Sequence, residues 1–171
     1  MIISLAGYMG SGKTCVAREL HKMLGYPLID LDQEIVKIHH MTIPEIFKTQ
    51  GEFGFRRAER DILKKTLEKK NNCILSLGGG TPVYYNNIDI INKKSESVYL
   101  QASVKTLFER LKKNRETRPL ISHIKNENLT EFISKHLFER APFYHKCRHM
   151  VSTDRLSIEE VCKEILEMIL K

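Results

Sequence analysis

Residues 7–14 read Gly7-Tyr8-Met9-Gly10-Ser11-Gly12-Lys13-Thr14, a full GxxxxGK[ST] pattern. An apolar run at 2–6 precedes it, and residues 13–24 continue it with helical apolar spacing. This stretch restricts the fold more than any other, because a strand, a glycine turn and a helix must follow one another without a spacer. The glycines let the backbone turn so that successive N–H groups face inward, and the helix N-terminus adds positive potential. Phosphate oxygens suit such a cradle. Gly10, Ser11, Gly12, Lys13, Thr14 and Cys15 are its candidate ATP-side residues. Lys13 can reach the β- and γ-phosphates, and the Thr14 hydroxyl can ligate Mg²⁺.

Short apolar strand candidates at 2–6, 27–30, 73–77, 97–101 and 149–152 alternate with amphipathic segments. Helices are expected near 13–24, 31–39, 55–69, 84–93, 104–113 and 129–140, the pattern of an α/β domain with a mainly parallel sheet. A last helix starts with a capping box, Ser157 to Glu160, and its Ile158, Val161, Ile165 and Met168 are read as core. Another box, Thr42 to Glu45, opens a short helix with Pro44 in its first turn. At 171 residues the chain fits one domain, 1–171, without repeats or linkers. Residues 114–128 are polar and broken by Pro119, unlike core, and form a candidate mobile lid.

The formal charge of +7 suits a polyanionic partner, either nucleic acid or a small molecule such as ATP. The lysines, however, are spread along expected helices (64, 65, 69, 70, 112, 113), which describes solvated faces, and no nucleic-acid-binding module accompanies them. No apolar run approaches the roughly 18 residues of a membrane span. The N-terminus lacks the basic region and length of a signal peptide, so a cytoplasmic location is expected. The four cysteines are scattered and read as reduced thiols; His145, Cys147 and His149 match no zinc spacing with a fourth ligand.

Many phosphate-loop enzymes end a later strand in an acid that helps hold the metal. The third strand here runs into Gly78 with no acid. Asp30-Leu31-Asp32, at the carboxyl end of the second strand, supplies two instead, where ligands of open α/β sheets gather. On an extended segment both would point the same way, one toward Mg²⁺–ATP and one toward an acceptor hydroxyl. A helix N-cap would account for one of them. Arg56 and Glu59 lie three apart on one helix face. A carboxylate that orients a guanidinium prepares it for bidentate contact with a carboxylate ligand, although a plain surface ion pair has the same spacing. Gly78, Gly79 and Gly80 allow unusual φ values and close backbone approach, or make a plain turn. Arg118 and Arg140 are either further ligand contacts or solvated side chains.

Jointly the phosphate loop, the DxD of Asp30 and Asp32, the FRxxE of residues 55–59, the triple glycine, the RPL of 118–120 and the RAPxY of 140–144 resemble the shikimate kinase family, in order and near spacing over almost the whole chain. The resemblance implies a three-layer P-loop NTPase fold like that of nucleoside monophosphate kinases, with a five-stranded parallel sheet in order 2-3-1-4-5. It implies an acceptor region around 31–60 and a mobile lid near 112–126. The implied activity is ATP-dependent phosphorylation of shikimate in aromatic amino-acid biosynthesis, with Mg²⁺ as cofactor, no nucleic acid or membrane partner, and a monomer as the expected state. Lys13 and the loop amides would bind phosphates. Thr14 and, through water, Asp30 would hold Mg²⁺. Asp32 would be the base. Arg56, oriented by Glu59, and Arg140 would grip the shikimate carboxylate, beside backbone N–H groups of Gly78, Gly79 and Gly80. Arg118 would close over the transferring group, and Arg110 and Arg155 resemble adenine-side contacts. His40 departs from a common glycine, and Thr81-Pro82-Val83 from a usual small residue and apolar pair. A gluconate kinase-like enzyme or a basic ATP-switched nucleic-acid-binding protein is the alternative.

Overall fold

The run at 2–6 is apolar without alternation because both of its faces are buried. It forms β1 (Ile2–Ala6), the central strand of the computed structural model, which describes residues 1–69, 71–113 and 120–170. Beside β1 lie β3 (Cys73–Ser76) and β4 (Glu96–Gln101), with β2 (Leu28–Asp30) and β5 (His149–Ser152) outermost, so the order is β2-β3-β1-β4-β5. Every pairing is parallel; Leu5 stands opposite Ser76 on one side and Val98 on the other. The expected sheet is therefore present.

Seven helices among the described residues cover its two faces: α1 (Lys13–Leu24), α2 (Leu31–His39), α3 (Ile43–Glu68), α4 (Asn87–Lys94), α5 (Val104–Lys113), α6 (Asn126–Tyr144) and α7 (Ile158–Ile169). Ile3, Leu5, Ile74, Val98 and Leu100 pack under α1 and α7, against Val16, Leu20, Val161 and Ile165. Ile2, Leu75 and Tyr99 face the other way, onto Leu31, Ile35, Leu63, Ile91, Leu107 and Leu129 of α2 to α6. Burying each such side chain contributes about 1.5–3 kcal/mol before entropy is counted. None of these helices is long and apolar enough to cross a membrane.

Several boundaries differ from the sequence expectation, each for a local reason. The short helix at Thr42 and the helix expected from 55 run together as α3, broken only at Gly51, whose φ of 69° a side-chain-bearing residue rarely adopts. The capping boxes at Thr42 and Ser157 are both formed. The helix expected from 84 starts at Asn87, because Tyr85 and Asn86 both take left-handed backbone angles after a 3₁₀ turn at Thr81–Val83. The helix expected at 129–140 spans Asn126–Tyr144, continuing past Pro142 through the His145 N–H bond to Ala141 O. Ile158 is not core: it is 42% exposed, at the mouth of a cleft. His40, where a glycine is common, closes α2 with φ 51° and ψ 30°, a left-handed cap that glycine enters more easily.

Candidate active site

The cleft lies at the carboxyl ends of β1, β2 and β3, with a volume of about 480 Å³. Gly10, Ser11, Gly12, Lys13, Thr14 and Cys15 line one side of it, and Asp30, Asp32, Gly78 and Gly79 another. Local chemistry makes the first side. Gly10 and Gly12 take φ values of 83° and 99°, which turn the loop into α1 without a side chain in the way. A Cβ on Gly7 would lie 2.8 Å from the Leu100 carbonyl oxygen and 2.7 Å from Ser11 Oγ, so β4 packs against bare backbone there. Lys13 Nζ donates to the carbonyls of Gly7 at 2.7 Å and Tyr8 at 3.1 Å, which keeps its ammonium over the loop.

Arg110 on α5 also lines this side. Its guanidinium donates to Gly10 O at 3.1 Å and to Thr153 O at 2.7 Å, bracing the loop against the end of β5. Arg155 is exposed, on the loop whose neighbours Thr153 and Leu156 line the cleft. Leu156, Ile158 and Val161 add an apolar wall that the periodicity of α7 hides, since that pattern serves the core and the cleft at once. Arg118, with the centre of the expected lid, lies outside the described residues.

The two acids do not share an extended segment, as the sequence suggests. β2 ends at Asp30 and α2 starts at the next residue, so Asp30 is the N-cap and accepts from Gln33 N at 3.1 Å. Asp32 belongs to the first helical turn. Both nevertheless face the cleft. Burial, then the charges of Asp30 and Glu59, push the Asp32 carboxyl up to about 6, against the pull of Lys13 and Arg56. Asp32 thus feels the phosphate loop and the FRxxE helix together.

The triple glycine is where three distant side chains meet. None of its residues has a positive φ, so the freedom expected of them is not used. Their service is closeness. A Cβ on Gly78 would lie 3.0 Å from Asp32 Oδ1, one on Gly79 3.3 Å from Arg140 Nη1, and one on Gly80 2.7 Å from both terminal nitrogens of Arg56. Each glycine makes room for one candidate side chain. Gly80 has φ −91° and ψ −17°, open to any residue, so a methyl there strains no backbone. Gly80→Ala is therefore expected to leave the backbone unstrained but to push the buried Arg56 guanidinium aside, lowering thermal stability and raising the acceptor KM about tenfold or more in steady-state assays.

Arg56 is held on several sides. It donates to Glu59 Oε2 at 2.9 Å, lies 4.2 Å from the Tyr84 ring centroid, and approaches Glu52 at 3.7 Å. Glu59 is 1% exposed, so this is no ordinary surface pair. Burial first, then the bond to Glu52, raise the Tyr84 hydroxyl above its usual value, and both Arg56 and Arg140 oppose that shift. The two guanidiniums therefore act on one ring. On α6, Tyr144 OH donates to Gly79 O at 2.5 Å beside Arg140.

Some partners have no local signal in the sequence. Tyr8, a variable position of the phosphate loop, is buried with its hydroxyl 2.9 Å from His136 Nδ1, one helical turn before Arg140. Burial and then Arg140 hold His136 below its usual value, so a neutral imidazole can accept a hydrogen bond from the Tyr8 hydroxyl, which keeps its proton. Thr81 and Tyr84 are likewise silent until the loop after β3 is seen over Arg56 and Glu59.

Known proteins resemble this chain over nearly its whole length. The family model for shikimate kinase matches residues 9–170. A shikimate kinase of Flavobacterium johnsoniae is 42% identical over 168 residues, covering 98% of each chain. The crystal structure of shikimate kinase from Bacteroides thetaiotaomicron superposes with a TM-score of 0.92 at 34% identity, covering 100% of this chain and 99% of that one. Shikimate kinase from Acinetobacter baumannii in complex with shikimate does so with 0.86 at 32% identity, covering 99% and 92%.

Proposed function

The chain belongs to the shikimate kinase family, and we propose that it transfers the γ-phosphoryl group of ATP to the 3-hydroxyl of shikimate, giving shikimate 3-phosphate for aromatic amino-acid biosynthesis. The observation that carries this reading is the position of Asp32, in the cleft of the phosphate loop and under the influence of both Lys13 and Arg56. A base between a phosphate cradle and a carboxylate-binding guanidinium fits an acceptor that bears both a hydroxyl and a carboxylate.

The residues divide the work as follows. The amides of residues 10–15 and Lys13 hold the triphosphate, and Arg110 braces the loop, with Arg155 nearby. Mg²⁺ fits here because it takes oxygen donors and keeps several waters, and the Thr14 hydroxyl and Asp30 carboxylate both line the cleft. When bound, it neutralises charge on the β- and γ-phosphates. The region 31–60 and the triple glycine seat the acceptor. Arg56, oriented by Glu59, and Arg140 take its carboxylate, with the backbone beside Gly78, Gly79 and Gly80 closing in. Asp32 orients the hydroxyl and accepts its proton as the acceptor O–P bond forms and the bridging β,γ P–O bond breaks, with ADP as the leaving group. The transition state is loose, so positioning and charge matter more than proton abstraction. Arg118 is assigned to the charge on the transferring group by the family resemblance alone.

The test is turnover of shikimate with ATP and Mg²⁺, followed by coupled ADP detection, beside an acceptor of the same ring without the carboxylate. Rapid turnover of the first and little of the second is expected. Equal turnover of both would remove the carboxylate-binding role, and none of either would remove the activity.

A further inference from the structure

Glu59 has two oxygens and the fold spends them separately. Oε2 accepts from Arg56 Nη1 at 2.9 Å, and Oε1 accepts from Thr81 Oγ1 at 2.6 Å. Thr81 is fully buried and is itself pinned on the backbone. Its N–H donates to Gly78 O at 3.1 Å, and its carbonyl accepts from Nδ2 of the buried Asn87 at 2.9 Å. The hydroxyl also stands at a crossing: Thr81 Oγ1, Glu59 Oε1 and Asp32 Oδ1 all lie within 3.2 Å of the point where Gly78 would carry a Cβ.

A buried carboxylate seeks as many donors as its lone pairs allow, and a planar guanidinium readily takes both of its oxygens. With Oε1 already accepting from Thr81, the carboxylate plane is held so that Oε2 is the oxygen that meets Arg56 Nη1. One terminal edge of the guanidinium then stays directed at the glycine loop, over Gly80. Without that hydroxyl the carboxylate is free to rotate into a two-point clasp and draw Arg56 away from the acceptor.

We propose that Thr81 is a positioning residue for the acceptor: by occupying one oxygen of Glu59, its hydroxyl sets the direction in which Arg56 presents its guanidinium. The inference rests on the reading of Arg56 as the acceptor-carboxylate ligand. It assigns a role to a position that, in sequence, is only a departure from the family's usual small residue.

The experiment compares Thr81→Ala with Thr81→Ser. Both lose the same methyl, so the cavity is common to the two and the hydroxyl is the difference between them. Thr81→Ala is expected to raise the shikimate KM roughly tenfold, with the ATP KM and kcat changed less than about twofold, and Thr81→Ser to stay near the parent value. Arg56→Ala is measured beside them. If it raises the shikimate KM while Thr81→Ala and Thr81→Ser behave alike, the role of Thr81 falls by itself. If Arg56→Ala leaves that KM unchanged, the carboxylate reading falls and the role of Thr81 with it. Should Thr81→Ala not fold, Thr81→Val retains the volume without the hydroxyl, and the same comparison with Thr81→Ser decides.

Discussion

Asp32→Asn is expected to bind ATP with unchanged affinity while kcat falls by about 10²–10⁴-fold, the usual contribution of a positioned general base. The amide keeps the size of the side chain and its place in the first turn of α2, where Asp30 and not Asp32 makes the cap. What it loses is the capacity to accept the acceptor's proton. Turnover within a few-fold of the parent would remove Asp32 from the role of base. The same group predicts an acid limb: kcat/KM, which reports the free enzyme, should decline as pH falls through about 6, where the buried carboxyl takes up its proton.

Stability should move the other way. The Asp32 carboxyl titrates near 3.8 in a model peptide and about 6 in the fold, raised mainly by burial. A raised acid favours the folded state only below its unfolded value, and that advantage disappears as pH rises through the folded one. Near pH 7 the ionised side chain therefore costs the fold roughly 2–3 kcal/mol. Asp32→Asn should raise the thermal midpoint of the ligand-free protein by several degrees at pH 7, and much less near pH 4. A catalytic group held against its own solvation is one way activity and stability oppose each other. An unchanged midpoint at both pH values would show that burial does not set this carboxyl's titration.

The phosphate loop was legible because all of it is local: strand, glycines, lysine and helix adjoin in sequence, and each residue type does there what its chemistry requires. The sheet order was carried by resemblance, since alternating strands and helices leave several orders open. What misled was geometry one residue deep. Asp30 and Asp32 read as neighbours on a strand, yet β2 has only three residues and the helix begins between the acids. The triple glycine read as conformational freedom, but its φ values are ordinary and its use is close approach by Asp32, Arg140 and Arg56. Ile158 read as core because helical spacing counts apolar residues without knowing that one of them faces a cleft. Glu59 was readable as the partner of Arg56, but the contacts made across long sequence separations were not. Thr81 lies 22 residues from Glu59, and Tyr8 lies 128 from His136, with nothing periodic joining either pair.

Arg56→Lys is expected to raise the shikimate KM about ten- to a hundredfold or more, with the ATP KM unchanged and the fold intact. A hydrogen bond to a charged group contributes roughly 1.5–3 kcal/mol, and a guanidinium fork offers two where an ammonium is a point charge. Lysine keeps a cation beside Glu59, so the buried carboxylate is not left alone. Arg56→Ala differs in this respect. It strands Glu59, which is 1% exposed, with the Thr81 hydroxyl still donating to it. Breaking a buried pair from one side costs about 3–5 kcal/mol, so the alanine variant should lose both acceptor affinity and thermal stability. Adding Glu59→Gln to Arg56→Ala should then recover much of the stability and none of the affinity, because a neutral amide needs no counter-charge but cannot bind the acceptor. That separation is the sharpest check on the arrangement. If the double variant regained acceptor affinity, or if Arg56→Lys bound shikimate as well as the parent, Arg56 would be a structural cation of α3 and the acceptor's carboxylate would have to be held elsewhere.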